Sequence, residues 1–359
     1  MELIYFTVGP SKLHEKFEEF IAKGNKENIG SLSHRSPRFS ELFENLSNNL
    51  KILFNVPEEY SVFYSGSATE FMERIVQNCS EKNTLHFVDG SFSRKFSEIS
   101  GKQGRINTEI VAEDDGSFFL DNLPSTYEPE LICLTHNETT NGVTLSPLFI
   151  ESIQKRFPDK LIALDIVSSA PTSNVDFSKI DCIFFSVQKG FGLPAGLGVI
   201  FVSPRALKKA EEIEKNGKQY TGSYHSFMDL AKYASKKQTP ETPNVFGMYL
   251  LNEVCLDFLN RTIEKLRSET KIKADLIYKA LDGNKKLKPL VTNKELRSET
   301  VIVAKPINGS QEVIEYFKKG GFLVASGYAE QKEMQIRIAN FPSHSIEQVQ
   351  KLCMLIDNY

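Results

Sequence analysis

The chain has 359 residues, of which 40% are hydrophobic and 25% are charged, a composition typical of a globular protein with a large domain and a smaller one. Its 43 Lys and Arg residues against 46 Asp and Glu residues give a formal net charge of −3, which excludes a general attraction to nucleic acid or anionic membranes. No signal-peptide pattern, membrane-length apolar run, CxxC pair or HExxH motif occurs, so we expect a cytoplasmic protein without a metal site.

Helical and strand patterns alternate from about residue 36 to residue 204. Ser36 and Pro37 have the residue types of a helix N-cap and a first helical position, and apolar residues recur at helical spacing after them. Short apolar runs separated by helical patterns follow, at 61–64, 84–88, 130–135, 161–166, 182–187 and 198–203. This alternation predicts an α/β fold whose mainly parallel sheet is covered on both faces.

A different organisation begins near residue 250. A long helical pattern starts after Pro240, and strand-like segments then alternate with helical ones until a final helix at the C-terminus. This order is typical of a compact α+β unit. We therefore predict a large domain over residues 1–255, including the N-terminal segment, and a small C-terminal α+β domain over residues 256–359.

Two residues at the ends of neighbouring predicted strands are the strongest candidates for chemistry. Asp165 ends one strand in ALDIVSSAP, and Lys189 follows the next strand in FFSVQKGFGLPAG. Parallel strands end at the same edge of a sheet, so both side chains are expected in the crevice at that edge. Taken alone, an aspartate and a lysine in these places also fit a helix cap and a surface turn, and the two residues by themselves leave both interpretations open.

The surrounding segment, SVQKGFGLPAG, resembles the class V, fold-type I aminotransferases that use pyridoxal 5'-phosphate, and among them the phosphoserine aminotransferases. The resemblance covers nearly the whole chain. It implies that Lys189 is the Schiff-base lysine, which also moves the proton between the substrate Cα and the cofactor. It implies that the carboxylate of Asp165 keeps the pyridine nitrogen protonated, so that the ring accepts electrons.

A turn and a stacking ring are candidates for holding this cofactor. In VFYSGSATEF a strand, a turn of small residues and a helix start follow one another, and backbone N–H groups at a helix N-terminus attract phosphate. Ser67 and Ala68 are the phosphate candidates. In FVDGSFSRKF the resemblance implies an aromatic ring on the face of the pyridine, and because the chain has no Trp we expect Phe92 in this role.

The resemblance implies four further cofactor contacts. Thr139, in LTHNETTNG, would bind the phenolic oxygen, and Gln188 and Ser168 would contact the phosphate. Thr242, in QTPETPNVFG, matches a threonine that completes the phosphate site of the neighbouring subunit, although Glu241 stands where the family has asparagine. We therefore expect a homodimer with shared active sites.

Three residues are implied for substrate binding. His34 and Arg35, in SLSHRSP, match a turn that reaches into the partner's site and binds an anionic group, and Arg337, in QIRIANFP, matches the arginine that holds the α-carboxylate. The chain departs from the phosphoserine aminotransferases at Glu330 and Gln331, where that family has a phosphate-binding His-Arg pair. Half of the expected phosphate-binding charge is missing, which leaves the amino acceptor open.

The leading prediction is transfer of an amino group between glutamate and a small 2-oxo acid, with the phosphoserine and 3-phosphohydroxypyruvate pair of serine biosynthesis first. The alternatives are another class V aminotransferase, of the serine–pyruvate or alanine–glyoxylate type, and a non-catalytic binding protein of the same fold. A cysteine desulfurase is less well supported, because it needs a cysteine on a mobile loop whereas Cys353 lies in the predicted terminal helix.

Overall fold

The computed structural model describes residues 3–120 and 123–359, and the strands within them form two sheets. The strands are β1 (Ile4–Phe6), β2 (Ser61–Ser65), β3 (Asn83–Val88), β4 (Ile106–Val111), β5 (Leu131–Thr135), β6 (Leu161–Asp165), β7 (Cys182–Ser186), β8 (Gly198–Val202), β9 (Leu287–Pro289), β10 (Val301–Pro306), β11 (Phe322–Ser326) and β12 (Ile336–Ala339). The helices are α1 (Phe17–Lys26), α2 (Pro37–Phe54), α3 (Ala68–Cys79), α4 (Ser91–Lys102), α5 (Pro147–Arg156), α6 (Pro204–Asn216), α7 (Phe227–Ala234), α8 (Val245–Arg261), α9 (Ile263–Gly283), α10 (Ser310–Lys319) and α11 (Ile346–Asn358).

The larger sheet has seven strands in the order β2-β8-β7-β6-β5-β3-β4. Strands β4, β3, β5, β6 and β7 run parallel, and β8 runs antiparallel to both β7 and β2. Every residue of β5, β6, β7 and β8 is buried, as expected for strands that are covered on both faces. The predicted α/β class with a mainly parallel sheet is confirmed.

Helices cover the two faces of this sheet and enclose two apolar cores. Neighbouring strand residues point to opposite faces, so Phe185 packs in the core beneath α2 and α8, whereas Phe184 packs beneath α3, α6 and α7. Helix α2 begins where the sequence predicts, because the Ser36 hydroxyl accepts a hydrogen bond from the backbone N–H of Phe39, with Pro37 at the first helical position.

One strand of the larger sheet is absent from the predicted set. Strand β4 lies at the sheet edge, and only Ile110 of its six residues is buried. An edge strand needs no continuous apolar run, so this segment lacks the pattern that identified the other strands.

The smaller sheet joins the two ends of the chain. Its strand order is β1-β11-β12-β10-β9, with β1 parallel to β11 and the other pairs antiparallel. Phe6 of β1 therefore shares a core with residues of α9, α10 and α11. Residues 255 and 256 both fall inside α8, and the division into domains 1–255 and 256–359 stays a prediction.

The long helical pattern after Pro240 divides into α8 and α9. The break lies at Thr262, which has a φ of 65° and whose hydroxyl accepts a hydrogen bond from the backbone N–H of Lys265. A threonine N-cap is a start signal that apolar periodicity alone does not reveal. Within the described part of the chain, no helix has both the length and the apolar character needed to cross a membrane.

Candidate active site

Three neighbouring strands of the larger sheet bring Thr139, Asp165 and Lys189 to one edge. Asp165 is the last residue of β6, Lys189 lies three residues beyond the end of β7, and Thr139 lies in the loop that follows β5. The Lys189 Nζ donates a hydrogen bond to the Thr139 Oγ1 at 2.8 Å. The sheet order thus places a lysine, a carboxyl group and a hydroxyl at the carboxyl edge, where open α/β sheets bind ligands.

The Lys189 side chain is only 5% exposed, and the chain packs tightly around its backbone. A Cβ atom at Gly190 would lie 1.9 Å from the carbonyl oxygen of Ala170, so only glycine allows the loop after β6 to approach this closely. The backbone N–H of Ser11 donates to the carbonyl oxygen of Gln188 at 3.1 Å. The lysine therefore has a fixed backbone and a side chain shielded from bulk water.

Burial changes the ionisation of both central groups. It raises the pKa of Asp165 to about 7, against the opposing effects of the Val167 N–H, which donates to Oδ1 at 2.8 Å, and of the Lys189 charge. It lowers the pKa of Lys189 to about 8, although the charges of Asp165 and Glu138 oppose this shift. A lysine with a pKa near neutral is partly the free amine, which is the form that acts as a nucleophile or a base.

A residue absent from the predicted set, Glu138, orders the loops around this edge. Its carboxylate is 2% exposed and accepts hydrogen bonds from the backbone N–H groups of Phe92, Ser93 and Thr140 and from the hydroxyls of Ser93 and Thr140. A carboxylate at the first turn of α4 also interacts favourably with the helix dipole. Glu138 thereby joins the loop of Thr139 to the start of the helix that holds Phe92.

Aromatic rings connect Lys189 to Arg337. The Lys189 Nζ lies 5.2 Å from the ring centroid of Phe92, and the ring of Tyr328 lies 5.4 Å from that of Phe92 at an angle of 35°. The Arg337 guanidinium carbon lies 5.6 Å from the Tyr328 centroid, and its Nε donates to the Ser326 carbonyl oxygen at 2.8 Å. The structure therefore brings Phe92 and Arg337, both predicted site residues, to the same crevice as Lys189.

The turn at Ser67 and Ala68 packs against the ends of β7 and β8. The Ser67 hydroxyl accepts from the Glu70 N–H, and the Ala68 N–H donates to the hydroxyl of Ser186, the last residue of β7. A Cβ atom at Gly198 would lie 2.5 Å from the carbonyl carbon of Ser67, so the turn reaches this position only because residue 198 is glycine. The N-terminus of α3 is thus fixed close to the strand that leads to Lys189.

Comparison with known proteins agrees with this arrangement. The sequence profile of the family described as "Aminotransferase class-V" matches residues 7–336. The chain belongs to this family. A phosphoserine aminotransferase from Cytophaga hutchinsonii is 40% identical to this class V aminotransferase, with a TM-score of 0.95 over 99% of this chain and 98% of its own. The phosphoserine aminotransferase of Rhodococcus opacus is 28% identical over 360 residues, which cover 98% of this chain and 94% of the relative.

A more distant structure names the cofactor. It is a "PLP bound phosphoserine aminotransferase" from Trichomonas vaginalis, 18% identical to this chain, with a TM-score of 0.83 over 99% of each. The resemblance seen in the sequence is confirmed, and the class V aminotransferase is a transferase that uses pyridoxal 5'-phosphate.

The residues at the sheet edge fit this cofactor. Apart from the Val167 N–H on its Oδ1, no group within residues 3–120 and 123–359 donates a hydrogen bond to Asp165, although its side chain is 4% exposed. The second carboxylate oxygen therefore has room for a donor, and a protonated ring nitrogen would supply a hydrogen bond to it. Lys189 offers an amine of lowered pKa. The start of α3 lies at the same edge, but the Ala68 N–H already donates to the Ser186 hydroxyl, so the phosphate role of Ser67 and Ala68 stays a prediction.

Two predicted phosphate contacts have different surroundings. The Ser168 hydroxyl donates to the carbonyl oxygen of Asn137 at 2.6 Å and accepts from its Nδ2 at 2.8 Å. Its single proton is therefore already used within the chain. The Gln188 side chain is half-buried and is adjacent in sequence to Lys189. The phosphate roles of both residues stay predictions.

Arg35 binds the segment that leads to Thr242. Its guanidinium donates to the Gln238 Oε1 at 2.8 Å and to the carbonyl oxygens of Thr239 and Pro240 at 2.7 and 3.1 Å. Arg35 and Thr242 are both exposed, and Arg35 holds the segment that precedes Thr242. His34 lies beside Arg35, with its ring centroid 6.4 Å from that of Phe39 and the two rings nearly perpendicular.

Glu241 is tied to its own chain by a histidine. The ring nitrogens of His225 bind the carboxylates of Glu241, at 2.8 Å, and of Glu70 in the first turn of α3. Burial opposes protonation, but the two carboxylates raise the pKa of His225 to about 9. Glu241 stands where the family has asparagine, and its long side chain allows this link between segment 238–243 and α3.

Proposed function

We propose that this class V aminotransferase moves an amino group between glutamate and a small 2-oxo acid, and that the physiological pair is phosphoserine and 3-phosphohydroxypyruvate. The observation that supports the chemistry best is the buried Lys189, hydrogen-bonded to Thr139 at the strand edge next to Asp165. The name of the Cytophaga hutchinsonii relative, at 40% identity, supports the substrate. The same proposal includes a homodimer in the cytoplasm.

Four residues of the sheet edge and the crevice bind the cofactor or the substrate in this proposal. Pyridoxal 5'-phosphate supplies an aldehyde that combines with amines and a ring that withdraws electrons. Lys189 holds the cofactor covalently and afterwards carries the proton to and from the substrate Cα. Asp165 binds the ring nitrogen, Phe92 covers the ring face, and Arg337 binds the α-carboxylate through a planar pair of N–H donors.

Covalent labelling tests the central assignment, and a second buried lysine provides the comparison. The pKa of Lys273 is also lowered to about 8 by burial, but its ammonium donates to the carbonyl oxygens of Phe341 and His344. We expect borohydride reduction of the yellow protein, followed by peptide mass spectrometry, to find the cofactor on Lys189 and not on Lys273. Label on Lys273, or on neither lysine, contradicts the assignment.

A half-reaction screen tests the substrate. The cofactor-loaded protein is mixed with single amino acids, and the loss of absorbance of the lysine-bound cofactor is followed. We expect both phosphoserine and glutamate to react. A wild-type protein that reacts with alanine or serine and not with phosphoserine would refute the phosphoserine proposal and leave the aminotransferase intact.

The position of Glu330 and Gln331 favours a second candidate, a class V aminotransferase for an uncharged amino acid. Both residues are exposed, and the Gln331 Oε1 accepts a hydrogen bond from the Gln335 Nε2 at 3.2 Å. Neither of these two residues offers a cation to a substrate phosphate. The same half-reaction screen distinguishes the two candidates, because an enzyme for uncharged amino acids would react better with alanine and serine than with phosphoserine.

Subunit mixing tests the shared site. Lys189→Ala chains combined with Arg35→Ala or Thr242→Ala chains should regain activity, since each heterodimer has one complete site if Arg35 and Thr242 act on the partner. Lys189→Ala combined with Asp165→Ala is the matched control, because both residues belong to one chain's sheet edge and no site is restored. If exchange is verified and the first mixtures stay inactive, the cross-subunit proposal is wrong.

A further inference from the structure

A substrate with a second anionic group needs a cation that the proposed site has not yet provided. Arg337 is assigned to the α-carboxylate, and Glu330 and Gln331 bring no positive charge. Arg35 already donates three hydrogen bonds to segment 238–240 of its own chain. A phosphate or a side-chain carboxylate that loses water on binding requires compensation by charge or by hydrogen bonds.

Lys95 is a cation beside the same ring as Lys189. It lies one helical turn after Phe92 on α4, and its Nζ is 5.5 Å from the Phe92 ring centroid, compared with 5.2 Å for the Nζ of Lys189. Neither an ion pair nor a hydrogen bond joins the Lys95 ammonium to residues 3–120 or 123–359. Its neighbour Arg94, in contrast, pairs with Glu109 at 3.4 Å.

The packing of Lys95 keeps its charge available. An aromatic ring attracts an ammonium group without neutralising it, so the Lys95 Nζ retains its three N–H donors for an anion. Tyr328 packs against the same Phe92 ring and separates it from Arg337. An amino acid with its amine at Lys189 and its α-carboxylate at Arg337 would therefore have Lys95 as a further cation close to the Phe92 ring, which also lies beside Lys189.

We propose that Lys95 is a specificity-determining residue that binds the distal oxyanion of the substrate. This proposal rests on the proposed function and deepens it. Lys95 would take the place of the missing His-Arg pair. It would bind either the phosphate of phosphoserine or the side-chain carboxylate of glutamate, because both are negatively charged oxygen groups.

Three variants test the proposal by steady-state kinetics of the holoenzyme. Lys95→Met keeps an unbranched stem on Phe92 and removes the charge, Lys95→Arg restores a cation, and Arg94→Met removes a neighbouring charge on α4 as the matched control. In Lys95→Met the ratio of kcat/KM for O-phospho-L-serine to that for L-alanine should fall about 10- to 100-fold, mainly through KM. Lys95→Arg should recover most of the lost ratio, and Arg94→Met should change the ratio less than about fivefold.

Binding without turnover provides an independent measurement. Calorimetry of the holoenzyme with 3-phosphoglycerate and with glycerate, which differ by the phosphate, should show a loss of affinity in Lys95→Met for the phosphorylated acid only. Kinetics with L-glutamate separate the two sources of the anion: a loss for phosphoserine alone assigns Lys95 to phosphate, and a loss for both assigns it to any distal oxyanion.

Failure of this proposal is distinct from failure of the proposed function. If wild type reacts with phosphoserine and Lys95→Met keeps the same substrate ratio and the same affinity for 3-phosphoglycerate, Lys95 has no such role although the function stands. If wild type does not react with phosphoserine at all, the substrate proposal fails, and the glutamate kinetics alone decide whether Lys95 binds an oxyanion.

Discussion

The buried carboxylate of Glu138 offers the sharpest test of how this site is held together. Its oxygens accept from the Phe92 N–H at 3.2 Å, from the Ser93 N–H and hydroxyl at 3.0 Å each, and from the Thr140 N–H and hydroxyl at 3.1 and 2.7 Å. The perturbations are Glu138→Ala, which removes every acceptor, and Glu138→Gln, which keeps the shape and one acceptor oxygen.

The number of donors left without a partner determines the size of the effect. Ser93 and Thr140 are 3% and 7% exposed, so their backbone N–H groups have little access to water in place of the carboxylate. Each buried donor without a partner costs about 1–3 kcal/mol, and we expect Glu138→Ala to lower the free energy of unfolding by about 3–5 kcal/mol. Glu138→Gln should lose about 1–3 kcal/mol, because hydrogen bonds to a charged group are stronger.

Urea unfolding of the cofactor-free protein measures these losses. Glu109→Gln, which removes an ion pair with Arg94 at the surface, is the control and should change stability by less than about 1 kcal/mol. Hydrogen exchange should show lost protection at Phe92 and Ser93 first. A Glu138→Ala protein that is as stable as the control would refute the claim that this carboxylate orders the loops.

Glu138 also acts on Lys189 through its charge, which raises the pKa of the lysine. Glu138→Gln should therefore lower the pKa of Lys189 below about 8. The pH dependence of its reaction with an amine reagent, followed by peptide mass spectrometry, measures this. An unchanged pKa would restrict Glu138 to a packing role.

Three further predictions concern the rest of the site. The two carboxylates raise the pKa of His225 to about 9, so their stabilisation is complete below the ordinary pKa of 6.5 and is lost as the pH rises through about 9; melting temperatures across this range should show the loss in wild type and not in His225→Asn. Gly198→Ala should displace the Ser67 turn and weaken pyridoxal 5'-phosphate binding about tenfold, measured by fluorescence titration of the cofactor-free protein. The Glu330→His, Gln331→Arg double variant should raise kcat/KM for phosphoserine about tenfold or more, whereas no gain in a stopped-flow half-reaction would contradict the loop assignment.

Features that depend on neighbouring residues could be predicted from the sequence. The N-cap of α2 could be predicted at Ser36, and the buried strands could be recognised as apolar runs, because capping and burial leave local patterns. Asp165 and Lys189 could be assigned to one sheet edge because parallel strands end on the same side. The motifs around them also identified the aminotransferase family.

Contacts between distant segments could be found only from the three-dimensional structure. Glu138 meets the start of α4 across 45 residues of sequence, and His225 meets Glu70 across 155. Strand β1 joins the C-terminal sheet, although three residues are too short a segment for a strand pattern to be recognised in the sequence. Such contacts depend on strand order and on the directions in which loops leave the sheet, and neither is encoded in the spacing of residues along the chain. For the same reason the ammonium of Lys95, one of many on helix surfaces, became a candidate only when its position beside Phe92 was known.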